Sequence, residues 1–101
     1  MSARIPAAQG KPDANHAEVV KAYEDMFCTV VDTHALGKGF PDLLVAFAGY
    51  CCPVEIKTEE GELNAAQRTF LRDWPGPMRI IRSREEAIAH VTEIRKKLRQ
   101  P

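Results

Sequence analysis

Residues 39–57 read GFPDLLVAFAGYCCPVEIK, and this stretch predicts two neighbouring strands of one sheet. The apolar run Leu43–Phe47 is followed by a glycine that favours a tight turn, and Tyr50–Ile56 then runs back as a second strand. Antiparallel pairing about that turn would bring Asp42, at the start of the first strand, close to Glu55 at the end of the second. The pattern therefore places two acidic side chains side by side.

A lysine belongs to the same group. Because side chains alternate along a strand, Glu55 and Lys57 are expected on one face and Val54 and Ile56 on the other. A hard divalent cation such as Mg²⁺ takes oxygen ligands and keeps several waters, so one or two carboxylates and a substrate phosphate suffice. We therefore expect Asp42 and Glu55 to be metal ligands, with the Ile56 carbonyl as a third. Lys57 would orient the nucleophile or stabilise the transition state.

These residues resemble the PD-(D/E)XK nuclease signature, and the chain around them is similar to the small virus-type replication-repair nucleases (VRR-NUC). The likeness extends from residue 13 to residue 91. The motifs that carry it are Asn15-His16-x-Glu18, the stretch from Gly37 to Val45, Glu55-Ile56-Lys57, Leu63-Asn64-x-x-Gln67, Trp74, and the segment from Met78 to Ser83.

The resemblance implies a role for each matched residue. Asp42 and Glu55 correspond to the two metal carboxylates and Lys57 to the catalytic lysine. Gln67, on the second helix, would orient Lys57 or a phosphate, and it is also expected to form a helix capping box with a preceding asparagine. Glu18, on the first helix, would be catalytic and would hold a second ion or an outer water, with a favourable first-turn helix position as the alternative interpretation.

The sequence departs from the family pattern at two places. His16 stands where an asparagine–glutamine pair is common, and its position near a terminus predicts a surface histidine. The loop after Lys57 carries Glu59, Glu60 and Glu62. These acids would repel a phosphate diester unless the loop turns into solvent or binds cations itself.

The predicted fold class is α/β with the element order αβββαβα, which is the core order of the restriction-endonuclease-like fold. The third and fourth strands should lie parallel because a helix separates them. We expect a mixed four-stranded sheet flanked by helices. The predicted elements are a helix capped by Asp13 or Asn15 and ending near Met26, strands at 27–33, 43–47 and 50–56, a helix from Asn64 to about Trp74, a strand at 78–82, and a helix capped by Ser83 and Glu86.

Length and composition limit the function classes. The chain has 101 residues and a formal net charge of zero, so nucleic-acid affinity would need local basic patches rather than overall basicity. We expect one nuclease domain at 13–101 behind a flexible arm at 1–12, with no signal peptide and no membrane segment. The candidate basic patches are Arg79, Arg82 and Arg84, then Arg68 and Arg72, then Arg95, Lys96, Lys97 and Arg99.

The expected cofactor is Mg²⁺ or Mn²⁺. Zinc is not expected, because neither a CxxC motif nor a histidine pair at ligand spacing occurs. The resemblance implies cleavage of branched or structured DNA by a homodimer in the cytoplasm of a bacterial host, encoded by the bacterium or by a phage. One alternative is a catalytically silent nuclease-fold module that binds nucleic acid or a protein, and another is an accessory protein in which Glu55 and Lys57 form a surface ion pair.

Overall fold

The computed structural model describes residues 2–4 and 14–99, which form five strands and three helices. From the first helix onward the order is αβββαβα, which confirms the predicted order and the α/β class. A short 3₁₀ turn occupies His34–Leu36. The strands are β1 (Ser2–Arg4), β2 (Thr29–Asp32), β3 (Leu43–Phe47), β4 (Tyr50–Ile56) and β5 (Arg79–Ile81), and the helices are α1 (His16–Asp25), α2 (Ala65–Asp73) and α3 (Arg84–Arg99).

The strands form one mixed sheet in the order β1-β2-β3-β4-β5. β2, β3 and β4 make an antiparallel meander, and β5 lies parallel to β4, as the sequence predicts. β1 adds a fifth strand, parallel to β2, from within the predicted arm at 1–12. The other residues of that arm, and Asp13, lie outside the described residues.

The β3–β4 hairpin sets the register that matters for the site. Ala48 and Gly49 both have positive φ, 50° and 85°, which is the backbone of a two-residue type I′ turn. This turn matches the right-handed twist of the strands and pairs Phe47 with Tyr50. The same register pairs Leu43 with Val54 at the far end of the hairpin. Asp42 therefore lies next to Glu55, as expected.

One face of the sheet forms the hydrophobic core. α1 packs against β2 and α3, and α3 also packs against β5. Core residues such as Val20 and Tyr23 of α1, Val45 and Val54 of the sheet, and Val91 of α3 are fully or almost fully buried. Burial of each such aliphatic side chain contributes about 1.5–3 kcal/mol relative to exposure. Because side chains alternate along the strands, Glu55 lies on the opposite face.

Two details of α1 differ from the prediction. Asn15 occupies the N-cap position, but its side chain makes no capping bond and Nδ2 donates instead to the carbonyls of Lys57 and Arg82, at 3.1 and 2.9 Å. The predicted strand start at Phe27 is wrong, because Phe27 has a φ of 68° and ends the helix in a left-handed turn. The Cys28 N–H then bonds the Tyr23 carbonyl, the long bond of a Schellman motif.

The other two helices begin at the predicted capping residues, although Glu86 contacts Arg82 instead of completing the predicted capping box with Ser83. The Asn64 side chain accepts from the Gln67 N–H, and the Gln67 side chain accepts from the Asn64 N–H, so the capping box is present. In α3, Ser83 Oγ accepts from the Glu86 N–H, while the Glu86 carboxylate accepts from the Arg82 N–H. Among residues 2–4 and 14–99, no helix has the length and apolar character needed to cross a membrane.

Candidate functional site

Asp42 is held at the end of the β3–β4 hairpin by backbone contacts. Its Oδ2 accepts the Ile56 N–H at 2.8 Å, so the carboxylate reaches across to the strand that carries Glu55. The Asp42 carbonyl accepts the Thr33 N–H at 2.7 Å, and Thr33 Oγ1 donates to the Pro41 carbonyl at 2.7 Å. Three neighbouring segments therefore determine where this carboxylate lies.

Glu55 is the buried member of the group, with only 2% of the residue exposed. Its Oε2 accepts from Gln67 Nε2 at 2.9 Å and lies 3.9 Å from Lys57 Nζ. The Lys57 side chain is 14% exposed. The interpretation of Glu55 and Lys57 as a surface ion pair is therefore wrong, because the β4 strand turns both side chains inward beside α2.

Gln67 connects the start of α2 to this carboxylate. One end of its amide completes the capping box, since Oε1 accepts from the Asn64 N–H at 2.9 Å, while Nε2 reaches Glu55. In the described contacts it meets the carboxylate rather than Lys57. Gln67 therefore completes the capping box and contacts Glu55 at the same time, and its predicted action on Lys57 would pass through Glu55.

One predicted site residue, Glu18, stands apart from this cluster. Glu18 is exposed on α1, and the described residues show it in no hydrogen bond or ion pair. The buried side of α1 packs on the core face of the sheet, whereas Glu55 lies on the other face. The catalytic role of Glu18 and the metal contact of the Ile56 carbonyl therefore remain predictions.

The acidic loop after Lys57 is anchored by an arginine. The Arg82 Nη1 donates to the carbonyls of Thr58 at 2.7 Å and Gly61 at 2.6 Å, and more weakly to that of Glu59 at 3.3 Å. This contact orders the loop backbone while its three acidic side chains stay exposed: Glu59, Glu60 and Glu62. Arg82 therefore stabilises this loop, and its Nη1 is already used by loop carbonyls rather than free to bind a phosphate.

Other predicted basic residues also have local partners. Arg79 pairs with Glu93, and Arg72 pairs with Asp73. Arg95 donates to the Met26 carbonyl and lies over the Phe47 ring at 5.3 Å from its centroid. The last turn of α3 adds three exposed cations, which complement the helix dipole: Lys96, Lys97 and Arg99.

A groove lies along α2. Gly39 lets the preceding loop approach α2 so closely that an added Cβ would lie 2.4 Å from the Ala66 carbonyl oxygen. Phe70 stacks on Trp74 with 5.2 Å between ring centroids, and Trp74 remains 39% exposed. The groove has a volume of about 350 Å³ and is lined by Lys38, Ala66, Thr69, Phe70, Asp73 and Trp74.

The opposite face of the sheet holds a group that the sequence argument missed. His16, from the first turn of α1, is buried, which contradicts its prediction as a surface residue. Its Nε2 lies 2.7 Å from Asp32 Oδ2, and His34 Nδ1 lies 2.7 Å from Asp32 Oδ1. One ligand atom from each of the three residues lies within 4.8 Å of the others, so this group could hold a metal ion.

Spacing along the chain does not reveal this possible metal site, because only folding brings His16 next to His34. The only local signal was the short Asp32-Thr33-His34 sequence at the end of a strand. A partner 16 residues before Asp32 could not be identified without the packing of α1 on β2.

Electrostatics determine the proton positions in this histidine cluster. Burial alone would raise the pKa of the Asp32 carboxyl, but hydrogen bonds from His34 and His16 outweigh it and hold the pKa below its usual value. An ionised carboxylate only accepts hydrogen bonds, so the two ring nitrogens that face it carry protons. The other nitrogens, His16 Nδ1 and His34 Nε2, are buried and meet no hydrogen-bond partner within the described part of the chain.

A third buried histidine has a different environment. His90 Nδ1 lies 2.7 Å from the Tyr23 hydroxyl in the core between α1 and α3. Burial, together with the nearby charge of Arg79, lowers the pKa of His90 to about 4. Burial also raises the pKa of Tyr23. Both groups are therefore neutral near pH 7, and one hydrogen bond joins the hydroxyl to the ring nitrogen.

The chain was compared with protein-family models, with curated proteins and with solved structures. None of the three comparisons finds a match. Function is therefore inferred from two groups of side chains on opposite faces of the sheet. We name them the carboxylate cluster (Asp42, Glu55, Lys57 and Gln67) and the histidine cluster (His16, Asp32 and His34).

Proposed function

We propose that this protein is a metal-dependent endonuclease that hydrolyses phosphodiester bonds in DNA. The observation that carries the proposal is the carboxylate cluster. Asp42 contacts the backbone next to Glu55, and Glu55 Oε2 lies close to both Gln67 and Lys57. A buried carboxylate beside a second carboxylate and a lysine is costly unless the group has a functional role.

The side chains of the carboxylate cluster fit a hard divalent ion. Asp42 and Glu55 supply oxygen donors from adjacent strands, and the Ile56 carbonyl is the expected third donor. A bound Mg²⁺ or Mn²⁺ would lower the pKa of a coordinated water and offset the negative charge of the phosphate. The protein side chains would hold this arrangement in place, because the Ile56 N–H fixes Asp42 and the Gln67 amide fixes Glu55.

Lys57 would act on the phosphate itself. Its ammonium group is mostly buried beside Glu55, where a charge acts more strongly than it would in water. A phosphate that gains negative charge in the transition state would be stabilised there more than in the ground state. In this proposal Gln67 is a positioning residue, since it acts through Glu55.

The groove along α2 supports a nucleic-acid substrate. It presents the stacked Phe70 and Trp74 rings together with Lys38. Stacking of a base on an aromatic side chain contributes about 1–3 kcal/mol and tolerates any base. Such a surface suits strand ends or branches, where bases are unstacked. The resemblance to the VRR-NUC nucleases implies the same substrates and a homodimer with the restriction-endonuclease-like fold.

Cleavage of a branched DNA in Mg²⁺ tests the proposal. We expect the wild-type protein to cut, and we expect Glu55→Gln to cut at least about a hundredfold more slowly, because it removes a ligand charge. A Phe27→Ala variant is the matched control, since Phe27 is exposed at the end of α1. Mg²⁺ calorimetry on the same proteins should show that only Glu55→Gln loses the ion.

The alternative function is a silent module that binds nucleic acid or protein without cutting. The exposed acids of the loop after Lys57 and the zero net charge favour it. Binding of branched DNA without any cleavage in Mg²⁺ or Mn²⁺ would establish this alternative. Absence of cleavage, ion binding and DNA binding together would exclude the endonuclease and the DNA-binding module, and would leave only a module that binds protein.

A further inference from the structure

The three residues of the histidine cluster reach one point from separate elements. His16 comes from the first turn of α1, Asp32 is the last residue of β2, and His34 opens the 3₁₀ turn that follows. The His34 N–H also donates to Asp32 Oδ1 at 3.2 Å, which keeps the turn folded against the strand end. The cluster therefore joins a helix, a strand and a turn in one buried contact.

Its chemistry differs from that of the carboxylate cluster. Two imidazoles and one carboxylate suit divalent transition ions such as Zn²⁺, Co²⁺ or Ni²⁺, whereas Mg²⁺ and Ca²⁺ prefer oxygen alone. Three protein ligands would leave a fourth tetrahedral position for a water. The ligand atoms lie within 4.8 Å of one another, a separation that a single ion with bonds of about 2.0–2.2 Å can close with small side-chain shifts.

The hydrogen bonds inside the cluster determine which ring nitrogens could be ligands. Each ring places one nitrogen on Asp32, namely His16 Nε2 and His34 Nδ1. An ion held there would replace the two protons between these nitrogens and the carboxylate, and each ring would then carry its proton on the other nitrogen.

We propose that His16, Asp32 and His34 form a binding site for a divalent transition-metal ion. The ion joins the start of α1 to the end of β2. Thr33 lies between the ligands Asp32 and His34 in the sequence, and its N–H and hydroxyl bond the segment that carries Asp42. The site is distinct from the carboxylate cluster, which lies on the other face of the sheet, and it does not depend on the endonuclease proposal.

Co²⁺ and Zn²⁺ are the probes. The protein is prepared without a histidine tag and with Cys51→Ser, because Cys51 is an exposed thiol that would bind these ions itself. We expect one Co²⁺ per chain with the visible absorption of a four-coordinate site, displaced by Zn²⁺. Zn²⁺ at about a hundred times its Kd should raise Tm by roughly 10 °C.

His34→Gln removes one ligand on the less buried side of the cluster. We expect Co²⁺ affinity to fall by more than about tenfold. Loss of a residue that only hydrogen-bonds a metal ligand already lowers affinity by about 10–100-fold. His90→Gln is the matched control, because it removes a buried histidine that contacts Tyr23. It should bind Co²⁺ as the parent does. Circular dichroism of each variant shows whether it is folded.

Three results would overturn the proposal. The first is a folded Cys51→Ser protein that takes up no Co²⁺ or Zn²⁺ at micromolar concentration, a result that can be obtained without any change in the histidine cluster. The second is unchanged Co²⁺ affinity in His34→Gln. The third comes from the carboxylate cluster. A variant with Asp42→Asn and Glu55→Gln should lose Mg²⁺ and keep Co²⁺. If it loses Co²⁺ instead, the transition ion binds at the carboxylate cluster and the proposal is wrong.

Discussion

The carboxylate cluster and the histidine cluster lie at the same end of one sheet but on opposite faces. In the first, the β3–β4 hairpin brings Asp42 and Glu55 together across neighbouring strands. In the second, His16 and Asp32 meet only because α1 packs over β2. A site formed by strand pairing can be recognised in the sequence, whereas one formed by helix packing cannot.

The two clusters also treat their carboxylates differently. Glu55 receives an amide N–H from Gln67 and a nearby ammonium from Lys57, both from the α2 side of the sheet. Asp32 receives hydrogen bonds from two imidazoles and the His34 backbone, and its pKa is lowered as a result. The first arrangement includes a partly accessible cation that can meet a substrate. The second is a closed group that ties elements together.

The largest effect should come from Lys57→Ala. We expect cleavage of branched DNA to fall by about 10²–10³-fold, because the ammonium acts mainly on the transition state. The free energy of unfolding should change by less than about 1 kcal/mol, as expected for a side chain outside the core. Lys21→Ala is the control, since Lys21 is exposed and forms an exposed ion pair with Asp25. Unchanged turnover in Lys57→Ala would remove the catalytic role.

The next test compares stability on the two faces. In metal-free buffer, Asp32→Asn should cost about 3 kcal/mol, because it breaks a buried charged group and leaves an imidazole without its acceptor. Glu55→Gln should cost less than about 1 kcal/mol, since its amide oxygen still accepts from Gln67 and a charge next to Asp42 is removed. Urea denaturation of both variants measures the difference. Equal losses of stability in the two variants would contradict a functional role for the carboxylate cluster and a structural role for the histidine cluster.

His90 provides a pH test of burial on the core face. Its pKa is about 4 in the folded protein and 6.5 in a free histidine, so the unfolded chain takes up a proton that the folded protein does not. The contribution of neutral His90 to the free energy of unfolding is therefore fully present above pH 6.5. It is lost as the pH falls towards 4, by at most about 1.4 kcal/mol per pH unit. His90→Asn should flatten this part of the profile, measured by urea denaturation at several pH values. An unchanged slope would assign the acid sensitivity to other groups.

The smallest effect concerns the acidic loop on the carboxylate face. Replacing Glu59, Glu60 and Glu62 by glutamine should tighten binding of a fluorescent branched DNA severalfold at low salt if they face the substrate path. The gain should shrink at physiological ionic strength, where the screening length is about 8 Å. Ca²⁺ in place of Mg²⁺ limits cleavage during the titration. Joint loss of metal affinity and activity would instead show that the loop holds a cation.

A control variant with the same change of net charge distinguishes repulsion of DNA by the loop from repulsion by the overall charge of the protein. It replaces exposed acids on α1 and α3 by amides: Asp25, Glu85 and Glu93. The loop variant should bind DNA more tightly than this control. Identical affinities would show that the loop side chains point away from the DNA.

Much of the fold could be predicted because it depends on local patterns. The hairpin follows from an apolar run, a glycine turn and a second run, and the helix starts at Asn64 and Ser83 follow from capping residues. Boundaries were less certain. Phe27 continues an apolar pattern and was expected to start a strand, yet the bonds that end α1 impose a positive φ there.

The sequence by itself determined the order of elements and the neighbours Asp42, Glu55 and Lys57, because strand pairing about a short turn is a local event. Only the tertiary structure decided that Gln67 reaches Glu55, that Asn15 binds the carbonyls of the residues just after β4 and β5, and that His16 meets Asp32. These contacts join residues brought together by packing rather than by any spacing along the chain. Such packing is favoured when it pairs polar groups with one another, since an unpaired polar atom in the interior is costly.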